Sequence, residues 1–363
     1  MRLRILLRLA LSACAAVAVS AEQPDIINAK VETRSAAASL ERVFRAVVQG
    51  APDAAWIAYG VPIVPGDHNL CCYDSYADPP TNVRNCGSCR LEGDGSYNVN
   101  FSHSRRVELE GPQRLGVFFR VAQKRLLKIR MFSEDCQVDA GGLPLYWLTD
   151  VRPADSVALL SSFIGAKDRE EELEKHLSRS ALAALALTND PSADRALDSF
   201  VARTQPESLR ADVTFWLGEA RGRPGFVLLR RVVREDPSEH VRKQAVFGLS
   251  VSKQPEAVQA LINLAHDDRA AEVRGQALFW LAHKAGEKAA RAITETIEED
   301  PETEVKKRAV FALTQLPPDE GVPLLIRVAR TNRNTEVRRQ AIFWLGQSKD
   351  ARALAFIEEI LTH

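Results

Sequence analysis

The sequence predicts an α+β protein in which a C-terminal α-solenoid of helix pairs follows a small, mostly antiparallel β domain. Two observations predict it. A phenylalanine, with a leucine two positions after it, recurs every 32 residues from Phe215 to Phe343. Strand-like alternation of apolar and polar residues is found instead in the segment before residue 150. A repeat period in this range is typical of stacked helical units.

Length and composition fit this division. The chain has 363 residues, of which 45% are hydrophobic and 26% are charged, and its formal net charge is zero. These values are typical of a protein with a proper core and leave room for a domain plus an array. A balanced charge gives no reason to expect a nucleic-acid partner.

The first residues predict a signal peptide over 1–21. Arg2, Arg4 and Arg8 precede an apolar run over 9–19, and Val19-Ser20-Ala21 suits a signal peptidase. The run is too short to span a bilayer, and no later stretch is long and apolar enough to predict a transmembrane segment. The sequence therefore predicts an exported protein, periplasmic or secreted.

Residues 11–14 offer an alternative, because Leu11-Ser12-Ala13-Cys14 resembles a lipobox that would make the protein lipid-anchored through Cys14. We favour the signal peptide, because Arg8 leaves too short an apolar run before Cys14 and the residues after it stay apolar.

The segment 22–152 predicts a β-rich, cysteine-containing domain with an N-terminal helix. Residues 39–48 place apolar side chains on one face of a helix that Gly50 ends. Residues 54–61 predict a strand, 115–121 and 127–131 predict a hairpin, and 143–148 predict a further strand.

Five cysteines fall in this domain. Cys71, Cys72, Cys86 and Cys89 lie in a stretch rich in glycine, proline and polar residues, and Cys136 follows later. Structural disulfides are the favoured interpretation for an exported chain, with the connectivity open. A zinc site at Cys71, Cys72, Cys86 and Cys89 is less favoured, because adjacent cysteines suit a tetrahedral ion poorly. A redox pair at Cys86 and Cys89 is the third interpretation.

The segment 153–363 predicts about six helix pairs, best defined over 205–361. The first helix of each pair carries the phenylalanine column, which we expect to provide much of the stacking, and the next column alternates large and small from Trp216 to Trp344. Asp236-Pro237 and Asp300-Pro301 predict capped helix starts. A basic column, predicted to pair with acids and carbonyls of neighbouring repeats, comprises Arg210, Arg242, Arg274, Lys306 and Arg338.

This unit, with Val-Arg-x-x-Ala in its first helix and a leucine-rich second helix, resembles a HEAT repeat of the short bacterial type related to phycobilin-lyase-like repeats. The resemblance implies a curved superhelix whose concave face is lined by second helices. The binding-face candidates there are Arg230, Arg231, Arg234, Gln259, Asn263, Arg291, Glu295, Arg327 and Arg330.

Catalytic signals are weak. Deoxyhypusine hydroxylase, a HEAT-like enzyme, holds iron with His-Glu pairs, and this sequence has no His-Glu dipeptide, nor any nucleophile elbow or phosphate loop. The sequence therefore predicts no cofactor and an exported, non-enzymatic scaffold or adaptor that binds a protein or peptide partner. The alternative is an extracytoplasmic redox or lyase-type accessory enzyme using Cys86 and Cys89. Self-association through the last repeat stays open.

Overall fold

The structure, a computed structural model, describes residues 23–66, 70, 89–92, 113–134, 136–165, 172–285 and 287–362. Several predicted features lie outside these residues, namely the signal peptide, the lipid-anchor candidate Cys14, and Cys71, Cys72 and Cys86. Among the helices that are described, none is both long enough and apolar enough to cross a membrane.

The N-terminal part is built on a five-stranded sheet, with a smaller sheet beside it. The strands are β1 (Ile26–Ile27), β2 (Val31–Ser35), β3 (Ala54–Pro62), β4 (Cys89–Arg90), β5 (Arg114–Ala122), β6 (Arg125–Ser133), β7 (Val138–Asp139) and β8 (Leu145–Thr149). The larger sheet has the order β2-β8-β3-β5-β6, and the smaller has the order β1-β7-β4.

The larger sheet is mixed rather than mostly antiparallel. Strands β3, β5 and β6 are antiparallel as predicted, whereas β8 inserts between β2 and β3 and runs parallel to both. The two pairings in the smaller sheet, β1 with β7 and β7 with β4, are parallel as well. The alternation within a strand shows which side chains it buries and does not encode its neighbour, so the insertion of β8 left no signal in the sequence.

The N-terminal helix and the hairpin of this part were both predicted from local sequence patterns. Helix α1 (Leu40–Gly50) begins after Ser39, whose side chain accepts a hydrogen bond from the Arg42 N–H, and it packs Phe44 against Phe119 of the sheet. The predicted hairpin turns at Gln123 and Lys124, which both have positive φ. This conformation gives a two-residue turn whose twist matches that of the flanking strands.

Helix α2 and six helix pairs make up the rest of the described chain. The helices are α2 (Pro153–Ser161), α3 (Glu172–Leu187), α4 (Pro191–Phe200), α5 (Glu207–Ala220), α6 (Gly222–Glu235), α7 (Glu239–Val251), α8 (Ala257–Asp267), α9 (Ala271–Ala285), α10 (Glu287–Glu299), α11 (Thr303–Leu313), α12 (Pro318–Thr331), α13 (Thr335–Gln347) and α14 (Ala351–Thr362). The predicted α+β class, with a C-terminal helical solenoid, is confirmed.

The sheet and the array share one hydrophobic core. The backbone N–H of Val64 donates to the carbonyl of Leu187 over 2.9 Å, so the chain after β3 meets the end of α3. The buried hydroxyls of Tyr59 and Ser156 lie 2.9 Å apart and join β3 to α2. The first helix pair is therefore held in place by the sheet.

First helices and second helices are spaced differently along the array. The first helices α5 and α7 approach so closely that a Cβ on Gly218 would lie 2.0 Å from the carbonyl oxygen of Gly248. Consecutive second helices are farther apart and leave grooves between them. The first helices therefore pack more closely against one another than the second helices do. The placement of the second helices on a concave face stays a prediction.

Candidate binding surfaces

The basic column of the first helices has a structural role, as predicted. Arg242 donates from Nε and Nη2 to the two carboxylate oxygens of Asp268 in the next repeat, over 3.0 and 3.1 Å. Arg210 with Asp236 and Arg274 with Asp300 form the same bidentate pair, and all six side chains are buried. These arginines join repeats and are not available to a ligand.

The acidic partners also correct the predicted helix starts. Helix α7 begins at Glu239, after Ser238 as its capping residue, so Asp236 precedes the cap. One oxygen of Asp236 accepts the Ser238 N–H over 2.9 Å while it pairs with Arg210. The Asp236 carboxylate therefore binds both the turn between repeats and the guanidinium of Arg210. Pro237 is not the first residue of the helix.

The second helices carry the predicted binding-face candidates. Eight of the nine are exposed and Arg231 is half-buried. Arg230, Arg231, Arg234 and Asn263 line one groove of about 680 Å³ between α6 and α8. The remaining five, Gln259, Arg291, Glu295, Arg327 and Arg330, do not line it.

A second groove, of about 450 Å³, lies between α4 and α6 and shares Arg231 and Glu235 with the first. We call the two together the arginine grooves. Acidic residues line them at five positions, namely Asp198, Glu235, Asp236, Asp267 and Asp268. Arginines line them at eight, namely Arg195, Arg203, Arg223, Arg230, Arg231, Arg234, Arg242 and Arg269. The lining has a positive excess.

Three of these guanidiniums, those of Arg223, Arg231 and Arg234, make exposed ion pairs. Arg231 pairs with Asp198, and Arg234 pairs with the adjacent Glu235 over 2.6 Å. The hydrogen bond from Arg234 lowers the pKa of Glu235, which keeps that carboxylate ionised. Arg230 forms no ion pair in the described part of the chain, although its charge helps Arg223 to lower the pKa of Glu256, and its guanidinium lies 5.9 Å from the centre of the Phe226 ring.

The opposite side of the array carries a row of aromatic rings. The rings of Phe215 and Phe247 stack at 5.7 Å, and Trp280 continues the row 4.8 Å from Phe247. The row extends through successive contacts of 5.0 to 6.1 Å to the last pair of helices. We call it the aromatic stripe, and its members are Phe215, Trp216, Phe247, Phe279, Trp280, Phe311, Phe343 and Trp344.

The phenylalanine column was predicted to provide much of the stacking between repeats, and its rings do stack on one another, but they are not fully buried. Phe343 is 54% exposed, and the other seven members of the stripe are half-buried. The leucine column, from Leu217 to Leu345, is the buried one. Residues two apart on a helix differ by about 200° in direction, so a phenylalanine and the leucine after it face opposite sides. The rings therefore stack on one another at the surface.

Polar side chains flank the stripe. Gln244, Gln276 and Gln340 each lie three residues before a phenylalanine of the stripe, which places them on the same face one turn earlier. Within the described residues, none of these amides has a hydrogen-bond partner. A cavity of about 310 Å³ at the N-terminal end of the stripe is lined by Phe215, Trp216 and Gln244 among others.

Comparison with known families gives the array its identity. The family model of HEAT repeats matches residues 201–282 and 290–363. The array is built of HEAT repeats. Similar solved structures include the CpcE–CpcF complex of phycocyanin lyase from Nostoc sp. PCC7120, at 23% identity over 44% of this chain and 100% of that chain, with a TM-score of 0.33. Human deoxyhypusine hydroxylase in complex with glycerol is 17% identical over 57% of this chain and 90% of that chain, with a TM-score of 0.28.

No match was found in a search of curated proteins. The predicted resemblance to HEAT repeats is confirmed, and HEAT repeats generally mediate protein interactions.

Outside the HEAT array, the described cysteines are Cys89 and Cys136. Both are buried in a small second core between the two sheets, together with Trp56 and Trp147. The sulfur of Cys136 lies 3.7 Å from the hydroxyl oxygen of Ser133. The disulfide, zinc and redox hypotheses all involve Cys71, Cys72 or Cys86 and stay predictions. Among the described residues alone, no group of three or more histidine, cysteine and acidic side chains is placed to hold a metal ion.

Proposed function

We propose that this protein is an exported, non-enzymatic scaffold that binds an extended polypeptide along the aromatic stripe. The observation that carries the proposal is the continuous row of eight partly accessible rings. Proteins in water seldom expose contiguous apolar surface of this kind outside interaction sites. Aromatic side chains also supply a large contact area at a low cost in side-chain entropy.

The shape of the surface favours a linear ligand. The stripe crosses five successive first helices, from α5 to α13, and one cavity of modest size adjoins it. Neighbouring packed helices lie about 8–10 Å apart. A polyproline II segment rises about 9 Å per turn. One turn of such a segment therefore matches one repeat, and its proline rings would meet the phenylalanine rings in register.

The glutamines supply the polar part of the recognition. A polyproline II backbone has no internal hydrogen bonds, so its carbonyl groups need donors when water is displaced. The side-chain amides of Gln244, Gln276 and Gln340 have donors to spare and recur at the spacing of the repeats. An N–H donated to a carbonyl at each turn would fix the register of the bound segment.

Three basic side chains beside the stripe are already paired. Arg308 pairs with Glu272 in the preceding repeat, and Lys307 pairs with Glu304 over 2.9 Å. Arg339 pairs with Glu336 over 2.8 Å. Because these charges are compensated within the array, the surface favours an uncharged segment over a highly charged one. A proline-rich segment meets this requirement.

Fluorescence anisotropy with a labelled oligoproline peptide tests the proposal. We expect saturable binding by the full chain, and Gln276→Ala should weaken it by about threefold to tenfold, as expected for one lost hydrogen bond. Phe247→Ala with Phe311→Ala should reduce binding further, with circular dichroism as the check on folding. Val227→Ala, an exposed apolar residue on the other side of the array, is the matched control. Equal binding by the ring variants and the wild-type chain would contradict the proposal.

A further inference from the structure

The three arginines at 230, 231 and 234 do not belong to the repeat pattern. In the next repeat the corresponding positions are Ile262, Asn263 and His266. Residues that stack repeats recur in every copy, as the buried leucines and the basic column do. All three arginines occur together only on α6, although Arg327 and Arg330 of α12 occupy the positions of Arg231 and Arg234, so stacking, which needs the same residue in every copy, does not account for the cluster.

The arginine grooves are suited to carboxylate ligands. A guanidinium binds a carboxylate through two parallel hydrogen bonds. Arg230 forms no ion pair in the described residues, and its guanidinium lies near the Phe226 ring, which does not neutralise it. The pairs of Arg231 with Asp198 and Arg223 with Glu256 are exposed. Exposed pairs contribute little to stability, so a ligand carboxylate can replace the present partner at small cost.

An apolar contact lies within the same groove. Val227 is 55% exposed on the wall between Arg223 and Arg230, one turn from each along α6. A segment that places an apolar side chain on Val227 and acidic side chains on either side of it would match this arrangement. The charges and the apolar contact together fit a polypeptide.

We infer that the arginine grooves between α4, α6 and α8 bind an acidic polypeptide segment, on the side of the array opposite the aromatic stripe. Charge complementarity selects the occupant, because the groove lining has an excess of arginine although the whole chain has a formal net charge of zero. Asp198, Glu235 and Asp267 also line the grooves and would repel the dense charge of a nucleic-acid backbone. With both surfaces occupied, the protein acts as an adaptor between an acidic and a proline-rich segment.

This inference is independent of the proposed function, and a short labelled oligoglutamate peptide with the full chain tests it. We expect saturable binding that weakens as salt is added. The variant Arg230→Glu with Arg234→Glu should weaken binding by at least about tenfold, since two charge-assisted contacts become repulsive. The control Arg291→Glu with Arg327→Glu makes the same charge change on second helices outside the grooves and should stay within about twofold of wild type.

Three results would overturn the inference. One is that the wild-type chain does not bind oligoglutamate, and another is that groove and control variants lose binding equally, which indicates diffuse attraction. The third is that a single-stranded oligonucleotide of similar length binds the grooves more tightly than oligoglutamate does. Phe247→Ala changes only the aromatic stripe and should leave oligoglutamate binding unchanged. Failure of the groove proposal can therefore be told apart from failure of the stripe proposal.

Discussion

At the scale of residues, the buried pairs between arginine and aspartate connect successive repeats of the array. Arg242 and Asp268 are both almost fully buried, and each satisfies the other with two hydrogen bonds. The other Nη of Arg242 donates to the carbonyl of Asp236, so the guanidinium also closes the turn before its own helix. Removing one member of such a pair leaves a buried charge without compensation.

We therefore predict that Arg242→Ala lowers the free energy of unfolding by about 3 kcal/mol. The matched control is Arg338→Ala, from the same column. Arg338 donates to the carbonyl oxygens of Asn332 and Arg333 and, in the described residues, pairs with no carboxylate. Its removal should cost no more than about 1 kcal/mol. Urea unfolding measures both, and equal losses would show that the acidic partner is unimportant.

A second prediction at this scale concerns pH. Hydrogen bonds from Ser192 lower the pKa of Asp190, which caps α4. A carboxyl whose pKa is lower in the folded chain than in the unfolded chain stabilises the fold above the unfolded value of about 4, and this contribution is lost as the pH falls through the folded pKa. Asp190→Asn keeps a capping side chain but loses the charge.

We expect Asp190→Asn to be less stable than wild type at neutral pH, with the difference shrinking as the pH falls to about 3. Urea unfolding at several pH values measures this difference. A difference that does not change with pH would show that the lowered pKa of Asp190 makes no contribution to stability.

At the scale of helices, two glycines, Gly218 and Gly248, set the spacing of α5 and α7. A Cβ on Gly218 would meet the backbone of Gly248, and one on Gly248 would lie 2.4 Å from the carbonyl oxygen of Thr214. The close approach of α5 and α7 therefore depends on the absence of side chains at both positions. This contact also brings Phe215 and Phe247 into the stack that begins the aromatic stripe.

Gly218→Ala should lower the free energy of unfolding by about 1–3 kcal/mol, because backbone atoms must move apart to admit the methyl group. Gly346→Ala is the control at the same column of α13, where a Cβ would meet nothing within 4 Å. That substitution should stabilise the chain by about 0.5–1 kcal/mol, because alanine loses less entropy than glycine in a helix. Thermal unfolding measures the stability of both variants. A change in the same direction for both would contradict this role of Gly218 in the spacing of the helices.

At the scale of the whole molecule, the sheet and the array pack against each other around one hydrophobic core. Phe163, just after α2, packs 6.2 Å from Phe44 of α1 and 6.1 Å from Phe119 of β5. The Tyr59 hydroxyl is fully buried beside Ser156, and burial raises the pKa of Tyr59 well above its ordinary value. An array cut from the sheet would expose these contacts, so binding experiments need the full chain.

We predict that Tyr59→Phe destabilises the sheet and the first helix pair together, by about 1–2 kcal/mol, because the Ser156 hydroxyl loses its partner. Hydrogen exchange should show equal losses of protection in β3 and α3. Tyr146→Phe is the control in β8, since the Tyr146 ring packs beneath Arg34 and its hydroxyl has no hydrogen-bond partner among the described residues. Loss of protection in the sheet alone would mean that the two parts unfold separately.

Much of the fold was predictable because its signals are local. The 32-residue period predicts the helix pairs, and the alternation in 115–121 and 127–131 predicts the hairpin. The basic column was correctly predicted to pair with acids and carbonyls of neighbouring repeats. The aromatic stripe was not predicted, although its signal was present. The 200° between each phenylalanine and the leucine after it already excluded a shared buried face.

The sequence by itself determined the repeat, the buried leucine column and the class of the fold, because these follow from periodicity within single helices and strands. The tertiary structure alone decided which residues of different repeats meet. The position of β8, the Asp268 partner of Arg242, the close approach at Gly218 and the clustering of arginines in one pair of grooves all depend on contacts between distant segments. Such contacts depend on the spacing and direction of packed elements, which the pattern within any one element does not specify.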